Sequence, residues 1–427
     1  MLRFASLTAI LATTATCLHL NVNNISFIRS GATSLAANLF TYHDPASTVG
    51  QFVQPQPWFW WLSGSGWTSL IDYTAYTNDT TYILAIHSAL LQNVGSNYDF
   101  VPASQAGWEA NDDQVYWVYA ALTAMEYGFP PLPCEPEASA VGTTGSCQNT
   151  SWLTIANNAF EDFVTRWQNN SITCNGGLKW QYNPSATGNG WTYKNTVTNG
   201  GFFQTAARLA RFTGNATYAD WANRIWDWSA GVGLISPDFH VFDGTSDGEG
   251  ANCSSVNHDE WSYNIASYLH GAANMYAFTH NNATSATPNA TVWQSRTHGL
   301  LVAANQTFFS PFPNATGIMY EPNCELAAKC NTDQASFKGS LATWMAKTSL
   351  LVPSTKGDIF SLLRPSAVGA AASCEGVVSG KGNDSCGTKW YIGAYDGATG
   401  FGQELGGLDG VLSLLVGQAP GLANVRH

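Results

Sequence analysis

Two acidic residues stand side by side where a helical segment begins. Asp112 and Asp113 lie between Asn111 and Gln114, and the apolar spacing that follows predicts a helix near residues 112–128. One interpretation is purely local. Asn111 would cap the helix, Gln114 would complete a capping box, and two acids in the first turn would complement the helix dipole. The other interpretation is that the two carboxylates perform chemistry.

The chemistry that fits adjacent carboxylates is glycoside cleavage. A retaining glycosidase needs a nucleophile and an acid/base whose carboxyl groups lie about 5–5.5 Å apart, which neighbouring residues on one turn can supply. The helix N-terminus would keep one carboxylate ionised. Repulsion between like charges would raise the pKa of the other, so that it could donate a proton. Asp112 and Asp113 are therefore the candidate catalytic residues.

The chain contains 17 tryptophans. Because pyranose rings stack on flat aromatic faces, tryptophans in or beside loops are candidate sugar platforms. In the strongly helical stretch near residues 217–230, the alternative that tryptophan fills the core is favoured. The candidate sugar contacts are Trp58, Trp60, Trp61, Trp108, Trp180 and Trp261.

Apolar residues recur at three- and four-residue spacing along the chain, which predicts an all-α fold. A turn recurs as well: residues 76–82, 212–218 and, more loosely, 278–284 each follow an aromatic helix end and precede another helix. Six helical hairpins would fill the chain, so we expect an (α/α)6 barrel with a cleft at one rim; an open α-solenoid is the alternative. The predicted helices lie near residues 30–42, 59–77, 80–94, 112–128, 152–167, 200–212, 217–230, 260–279, 290–309, 333–351, 356–372 and 404–416.

Charged residues make up only 11% of the 427 residues, and the net charge is −12. An acidic chain without clustered Lys and Arg matches nucleic acid poorly, so no nucleic-acid partner is expected. Polar uncharged residues replace charge at the surface, as on a glycosylated secreted protein. Asn-x-Ser/Thr sequons agree with that location: they begin at Asn24, Asn78, Asn149, Asn169, Asn215, Asn252, Asn282, Asn289, Asn305, Asn314 and Asn383.

The beginning of the chain predicts a secretory leader. Arg3 is followed by an apolar run too short to span a bilayer and then by small residues. We expect residues 1–20 to be a signal peptide and residues 21–427 to form a single domain, since no Pro/Ser-rich linker divides the chain. No Cys-x-x-Cys or His-x-x-x-His spacing indicates a metal, and no cofactor is expected.

Cysteine parity fits an oxidising compartment. Cys17 falls in the predicted leader, and the eight other cysteines form an even set, which predicts disulfides in a secreted protein. Eight cysteines allow 105 connectivities. Three pairs bracket short loops, and the remaining two are left for each other. The expected bridges are Cys134–Cys147, Cys174–Cys253, Cys324–Cys330 and Cys374–Cys386.

An acidic segment at residues 243–249 invites two further interpretations. It contains a Gly-x-Ser-x-Gly pattern around Ser246, but no helix follows that serine, as an esterase nucleophile elbow would require. It also hints at a calcium loop, but Ser254 stands where such a loop needs an acid. We therefore expect a solvated acidic loop near the cleft.

Longer motifs connect the aspartate pair to a known family. With its Asn-Asp-Asp-Gln segment, the chain resembles glycoside hydrolase family 76, the endo-α-1,6-mannanase family, over most of its length. It looks most similar to the fungal branch of cell-wall enzymes thought to act on GPI-anchor glycans. The matching segments are residues 67–73, 111–114, 193–200, 206–215, 261–264, 337–339, 386–390 and 396–397.

The resemblance implies an (α/α)6 barrel in which Asp112 is the nucleophile and Asp113 the acid/base. It also implies substrate contacts from polar residues in the matching motifs. These are Asn111, Gln114, Lys194, Asn195, Asn199, Tyr263 and Asn264.

The implied function is that of a retaining α-mannoside-directed glycosidase or transglycosylase. It would cleave the GPI-anchor glycan and transfer GPI-linked cell-wall proteins to wall β-glucan. The alternatives are a hydrolytic endo-α-1,6-mannanase, which differs only in the acceptor, and a non-catalytic glycan-binding barrel. The expected partners are mannose-containing glycans (the GPI core glycan and α-1,6-mannan) and a β-glucan acceptor, bound by a monomer.

The implied location is the cell wall or the outer face of the plasma membrane. Members of this branch usually end in a GPI-attachment signal, whereas residues 418–427 contain neither a polar spacer nor a hydrophobic tail. We therefore expect the natural chain to continue beyond His427 and to carry the anchor there; the alternative is a freely secreted protein.

Overall fold

The computed structural model describes residues 18–44, 46, 50–53, 59–133, 151–185, 189–248, 250–281, 289–375, 385–420 and 422. These ranges contain twelve α-helices, one for each predicted segment. The helices are α1 (Ile25–Phe40), α2 (Trp60–Thr77), α3 (Ile83–Asn93), α4 (Asn111–Tyr127), α5 (Trp152–Asn170), α6 (Thr196–Thr213), α7 (Ala216–Gly231), α8 (Ser262–Asn281), α9 (Ala290–Phe308), α10 (Phe337–Leu351), α11 (Lys356–Ala372) and α12 (Phe401–Leu412).

The even-numbered helices form a closed inner ring. Helix α2 packs on α4, and the contacts continue through α6, α8, α10 and α12, which returns to α2. The odd-numbered helices cover this ring from outside; for example, α5 packs on α4, α7 on α6 and α9 on α8. The fold is therefore the predicted all-α (α/α)6 barrel. The contact between α12 and α2 excludes the open solenoid.

Two copies of the recurring turn end their helices as predicted. Asn78 after α2 and Gly214 after α6 both adopt left-handed backbone conformations, with φ of 62° and 71°. After Gly214, the side chain of Asn215 caps α7 by accepting from the N–H of Thr217 at 2.9 Å. The looser third copy follows α8 into residues 282–288, which lie outside the described part of the chain.

Buried charges close the middle of the ring. The carboxylate of Glu126 on α4 accepts from Arg208 and Arg211 on α6, each at 2.7 Å. Beside them, the ammonium of Lys347 on α10 lies 2.8 Å from the carboxylate of Asp72 on α2. Burial raises the pKa of Glu126, but the charges of the two arginines outweigh it and hold the pKa well below its usual range. These ion pairs link four of the six inner helices.

A small antiparallel sheet lies beside the start of α6. It contains β1 (Tyr193–Asn195), β2 (Gly244–Ser246) and β3 (Val256–Asn257), in that order. The prediction of a solvated acidic loop at residues 243–249 is wrong for its described part. Asp247 is buried, and its carboxylate pairs with the ammonium of Lys179 at 2.7 Å.

Disulfides fasten the connections between helices. The predicted bridges Cys174–Cys253, Cys324–Cys330 and Cys374–Cys386 are all confirmed. The last joins β4 (Cys374–Glu375) to β5 (Ser385–Cys386). The predicted Cys134–Cys147 bridge lies outside the described residues. Among the described helices, none has the length and apolar character that a membrane span requires.

The first described residues already belong to the fold. The N–H of Leu18 donates to the carbonyl of Cys374 at 3.0 Å, and Leu20 is buried. Both residues precede the predicted domain start at residue 21. Residues 1–17 of the predicted leader lie outside the described part, so the leader stays a prediction.

Candidate active site

A cavity of about 280 Å³ opens at the rim where the inner helices begin. Because inner and outer helices alternate, the inner helices all run in the same direction, and their N-termini share this rim. First-turn residues of α2, α4, α6, α8 and α10 all contribute to its wall. The lining residues are Phe59, Trp61, Trp108, Ala110, Asp112, Asp113, Tyr116, Trp180, Gln181, Val197, Tyr263, Asp333 and Phe337.

The carboxylate of Asp112 is held by three donors. The indole N–H of Trp180 donates to Oδ1 at 3.1 Å, and the backbone N–H of Asp113 donates to the same atom at 3.0 Å. The amide of Asn195 donates to Oδ2 at 3.0 Å. Burial raises the pKa of Asp112 to about 7, while these hydrogen bonds favour the ionised form. The three donors thus fix the orientation of the carboxylate.

The carboxyl of Asp113 is placed by its own helix turn. Its Oδ2 accepts from the backbone N–H of Ala110 at 2.7 Å, and the residue lines the cavity. Burial and the neighbouring charge of Asp112 raise the pKa of Asp113 well above its usual range. Of the two acids, Asp113 therefore holds its proton more strongly.

A third acid lines the cavity, and the sequence analysis missed it. Asp333 lies in the loop before α10, where its Oδ1 accepts from the indole N–H of Trp61 at 3.0 Å. Burial raises its pKa to about 6. The residue is more than 200 positions from the aspartate pair, at the start of the helix predicted near residues 333–351. Only the closure of the ring brings it near them.

Aromatic rings form much of the cavity wall. Tyr263 and Phe337 stack with their centroids 3.9 Å apart, and Trp61 packs against Tyr116 at 4.4 Å. Trp108 is 82% exposed, an unusual amount for an indole, which leaves its face available to a ligand. Among the predicted sugar contacts, Trp61, Trp108, Trp180 and Tyr263 line the cavity.

Asn111 and Gln114 support the aspartate turn from behind. The helix cap is Ala110, so the prediction that Asn111 caps the helix is wrong; Asn111 is the first helical residue. Both side chains are fully buried and accept from the guanidinium of Arg166. Asn111 also donates to the carbonyl of Lys179 at 2.9 Å. Neither residue lines the cavity, and their polar atoms bond to protein groups.

Four other predicted contacts also lie away from the cavity. Trp60 is buried in the core, where it stacks on Trp117 at 4.9 Å. Lys194 is buried, and its ammonium donates to the carbonyls of residues 170, 173 and 176. Asn199 bonds to the backbone of residues 178 and 195. Asn264 is buried on α8.

The other three predicted sugar contacts differ in their relation to the cavity. Asn195 contacts the site through Asp112 and is itself 6% exposed, so it positions the carboxylate. Trp261 packs edge-on against the lining residue Phe337, with centroids 5.7 Å apart. Trp58 lies outside the described residues. Across the described ranges, no three His, Cys, Asp or Glu side chains are grouped to hold a metal ion.

A buried acid beside the pair makes stability depend on pH. Glu109 is 3% exposed, and burial, reinforced by the charge of Asp113, raises its pKa to about 9. The native state therefore keeps a proton that the unfolded chain loses above about pH 4.5, and stability falls as pH rises from there towards 9. We expect Glu109→Gln to leave the free energy of unfolding at pH 4 nearly unchanged and to raise it by about 1–3 kcal/mol at pH 7.

Urea unfolding at several pH values measures this effect. The exposed Glu161 on α5 provides the matched control, since Glu161→Gln removes a carboxyl without removing a buried one. A gain for Glu109→Gln that is the same at pH 4 and pH 8 would contradict the explanation.

Asp333 should control the alkaline limit of activity. Its charge is one cause of the raised pKa of Asp113. Replacing Asp333 by asparagine removes that charge, so the pKa of Asp113 falls and its proton is lost at lower pH. We expect the alkaline limb of kcat/KM to move to lower pH. Asp259→Asn, which removes an exposed charge in the loop before α8, should leave the limb in place.

The chain was also compared with known proteins. The profile of glycosyl hydrolase family 76 matches residues 27–425. The mannan endo-1,6-alpha-mannosidase DCW1 of Saccharomyces cerevisiae is 36% identical over 396 residues, which cover 91% of this chain and 79% of the relative. Dfg5 from Chaetomium thermophilum, solved in complex with glucosamine, has a TM-score of 0.80 at 31% identity, with 95% and 94% of the two chains covered.

A bacterial structure extends the likeness in fold. An inactive variant of the α-1,6-mannanase GH76A of Salegentibacter sp. HEL1_6, solved with α-1,6-mannotriose, has a TM-score of 0.65. It is 16% identical, with 91% of this chain and 99% of that chain covered.

Proposed function

Because the chain belongs to glycosyl hydrolase family 76, we propose that it cleaves α-mannosides with retention of configuration and transfers the glycan to a sugar hydroxyl. The observation that carries the proposal is the half-buried pair of neighbouring carboxyls, Asp112 and Asp113, at the wall of an aromatic cavity. Their different hydrogen bonds give them different roles, with Asp112 as nucleophile and Asp113 as acid/base.

In the first step, Asp112 attacks the anomeric carbon. The carboxylate oxygen forms a bond to that carbon while the glycosidic C–O bond breaks, and the departing oxygen takes the proton of Asp113. Trp180 and Asn195 hold the nucleophile by hydrogen bonds of 3.1 and 3.0 Å, so little reorganisation is needed. The product is a covalent glycosyl-enzyme ester.

In the second step, Asp113 acts as a base. Its carboxylate, now ionised, takes the proton of an acceptor hydroxyl, whose oxygen attacks the anomeric carbon and releases Asp112. A water acceptor gives hydrolysis, and a sugar acceptor gives transfer. Exposed aromatic surface at the cavity, such as Trp108, supports transfer because it offers a platform on which a sugar acceptor could stack.

The charge of the cavity supports a donor with a cationic sugar. Three carboxyl groups, those of Asp112, Asp113 and Asp333, face the cavity, and its described lining includes no Lys, Arg or His. An ammonium group would be attracted both by these acids and by the aromatic faces. The proposed donor is therefore the core glycan of a GPI anchor, which combines mannose with glucosamine, and the proposed acceptor is wall β-glucan.

The decisive experiment supplies donor and acceptor together. The protein would be incubated with a GPI core glycan and labelled β-glucan oligosaccharides, and the products would be sized. Labelled products larger than the acceptor are expected. If the donor is cleaved while the label never changes size, the protein is a hydrolytic endo-α-1,6-mannanase.

A non-catalytic glycan-binding barrel is the candidate from another class. An activated fluoroglycoside of mannose separates it from an enzyme. We expect a mass increase of one sugar on the peptide that contains Asp112. Tight binding without that adduct and without turnover of any mannoside would favour the binding barrel.

A further inference from the structure

A second cavity lies on the outer wall of the barrel, between α7 and α9. Its volume is about 410 Å³, within the range of small-molecule sites, about 300–1,000 Å³. It shares no lining residue with the candidate active site. Its wall is mainly apolar and includes Trp226, Pro237, Phe239, Thr291, Val292 and Arg296. We call it the α7–α9 cavity.

One polar side chain in this wall has an unused donor. The guanidinium of Arg296 stacks over the rings of Trp226 and Trp293, at 4.5 and 4.3 Å from their centroids. One of its terminal nitrogens lies 3.7 Å from Asp227, while its Nη1 is buried without a hydrogen-bond partner in the described part of the chain. The partly exposed guanidinium therefore adds a cationic group to a mainly apolar wall.

A sequon forms one edge of the same cavity. In Asn289-Ala290-Thr291, the asparagine is exposed, and Thr291 belongs to the cavity wall. The Oδ1 of Asn289 accepts from the N–H of Val292, also in the wall, at 3.2 Å. The eight sequon asparagines within the described ranges are all exposed. Of these, Asn289 is the one whose sequon borders this cavity.

We propose that Asn289 carries an N-linked glycan whose first sugars occupy the α7–α9 cavity. In the attachment, Nδ2 loses a proton and bonds to the anomeric carbon of N-acetylglucosamine, while the diphosphate of a lipid-linked oligosaccharide leaves. Oδ1 stays available, so the helix cap is kept. The apolar face of the sugar packs on Trp226 and Phe239, and its oxygens lie at the part of the wall that Arg296 forms.

The test separates the glycan from the helix cap. Asn289→Asp removes the attachment nitrogen but keeps a capping oxygen. In protein from a glycosylating eukaryotic host, we expect Asn289→Asp to lower the thermal midpoint by about 2 °C or more. In unglycosylated protein from bacteria, the same change should have no effect. Asn305→Asp, at an exposed sequon on the same helix, is the matched control and should shift the midpoint in neither background.

Two further measurements complete the test. Peptide mapping should find a glycan at Asn289, and an endoglycosidase acting on the native protein should remove it more slowly than the glycan at Asn305. An unmodified Asn289, or equal release and equal midpoint shifts at the two sites, would overturn the proposal. Glycosidase activity should be unchanged in Asn289→Asp, so the result does not depend on the catalytic proposal.

Discussion

Asp112→Asn is expected to lower kcat by at least about 10³-fold while leaving the thermal midpoint within a few degrees of the wild-type value. An amide is too weak a nucleophile to attack the anomeric carbon, yet it has nearly the same shape as the carboxyl it replaces. The indole N–H of Trp180 and the amide of Asn195 donate to different oxygens of the carboxylate. The amide that replaces this carboxylate can accept at one oxygen only. The loss should therefore appear in the chemical step rather than in folding.

Asp113→Asn should cause a loss of similar size, but with a different signature. It removes the proton donor, so substrates with a poor leaving group suffer most and an activated aryl mannoside suffers least. With such a substrate, added azide should restore turnover of Asp113→Ala by attacking the glycosyl-enzyme, because azide needs no general base. Azide should not rescue Asp112→Ala to a product of retained configuration.

The matched control for both variants is Asp358→Asn. Asp358 is also an acid in the first turn of a helix, α11, but it is exposed on the outer layer. It should retain full activity. Equal activity of Asp112→Asn and Asp358→Asn would show that the pair merely complements a helix dipole, and it would remove the basis of the catalytic proposal.

The second large effect concerns stability. Glu126→Gln should lower the free energy of unfolding by about 3–5 kcal/mol, because it leaves Arg208 and Arg211 buried without their counter-charge. The pKa of Glu126 lies well below its usual range, so the carboxylate stays ionised throughout the range in which the protein would be studied. Acidification should therefore reproduce the effect of the substitution only at a pH well below the usual range for glutamate titration.

A graded series makes the stability prediction testable even where Glu126→Gln folds poorly. Asn274→Ala keeps the charges but removes an oxygen that accepts from Arg211 at 2.7 Å, and should cost about 1–3 kcal/mol. Asp227→Asn, at an exposed ion pair, should cost less than about 1 kcal/mol. Denaturant unfolding that ranks these variants in any other order would contradict the role assigned to the buried network.

Local patterns predicted the helices and the aspartate pair because both depend on residues close in sequence. The three- and four-residue spacing of apolar residues is a property of each helix. The carboxyls of two neighbouring residues lie close together however the rest of the chain folds. Lys194 shows where this reasoning fails. Its polar motif was compatible with a cleft contact, but the loop at residues 170–176 wraps its ammonium with carbonyl groups.

Asp333 is a residue of the site that the sequence patterns did not identify. Nothing in its neighbourhood distinguishes it from a surface acid, and its position in the cavity depends on the packing of α10 beside α8 and α12. The wrong prediction that Asn111 caps α4 misplaces the helix start by a single residue. The helix begins one residue earlier than the pattern of capping residues suggests, because Ala110 is held by the carboxyl of Asp113.

The origin of the cavity wall has a consequence for how the protein matures. Trp61 comes from the second helix and Phe337 from the tenth, with the acids contributed from between them. No contiguous stretch of the chain contains the whole site, and the ring is sealed only when α12 docks between α10 and α2. A nascent chain therefore has an aspartate pair long before it has an enclosed pocket around it. Catalytic turnover should therefore begin only after the inner ring of helices has closed.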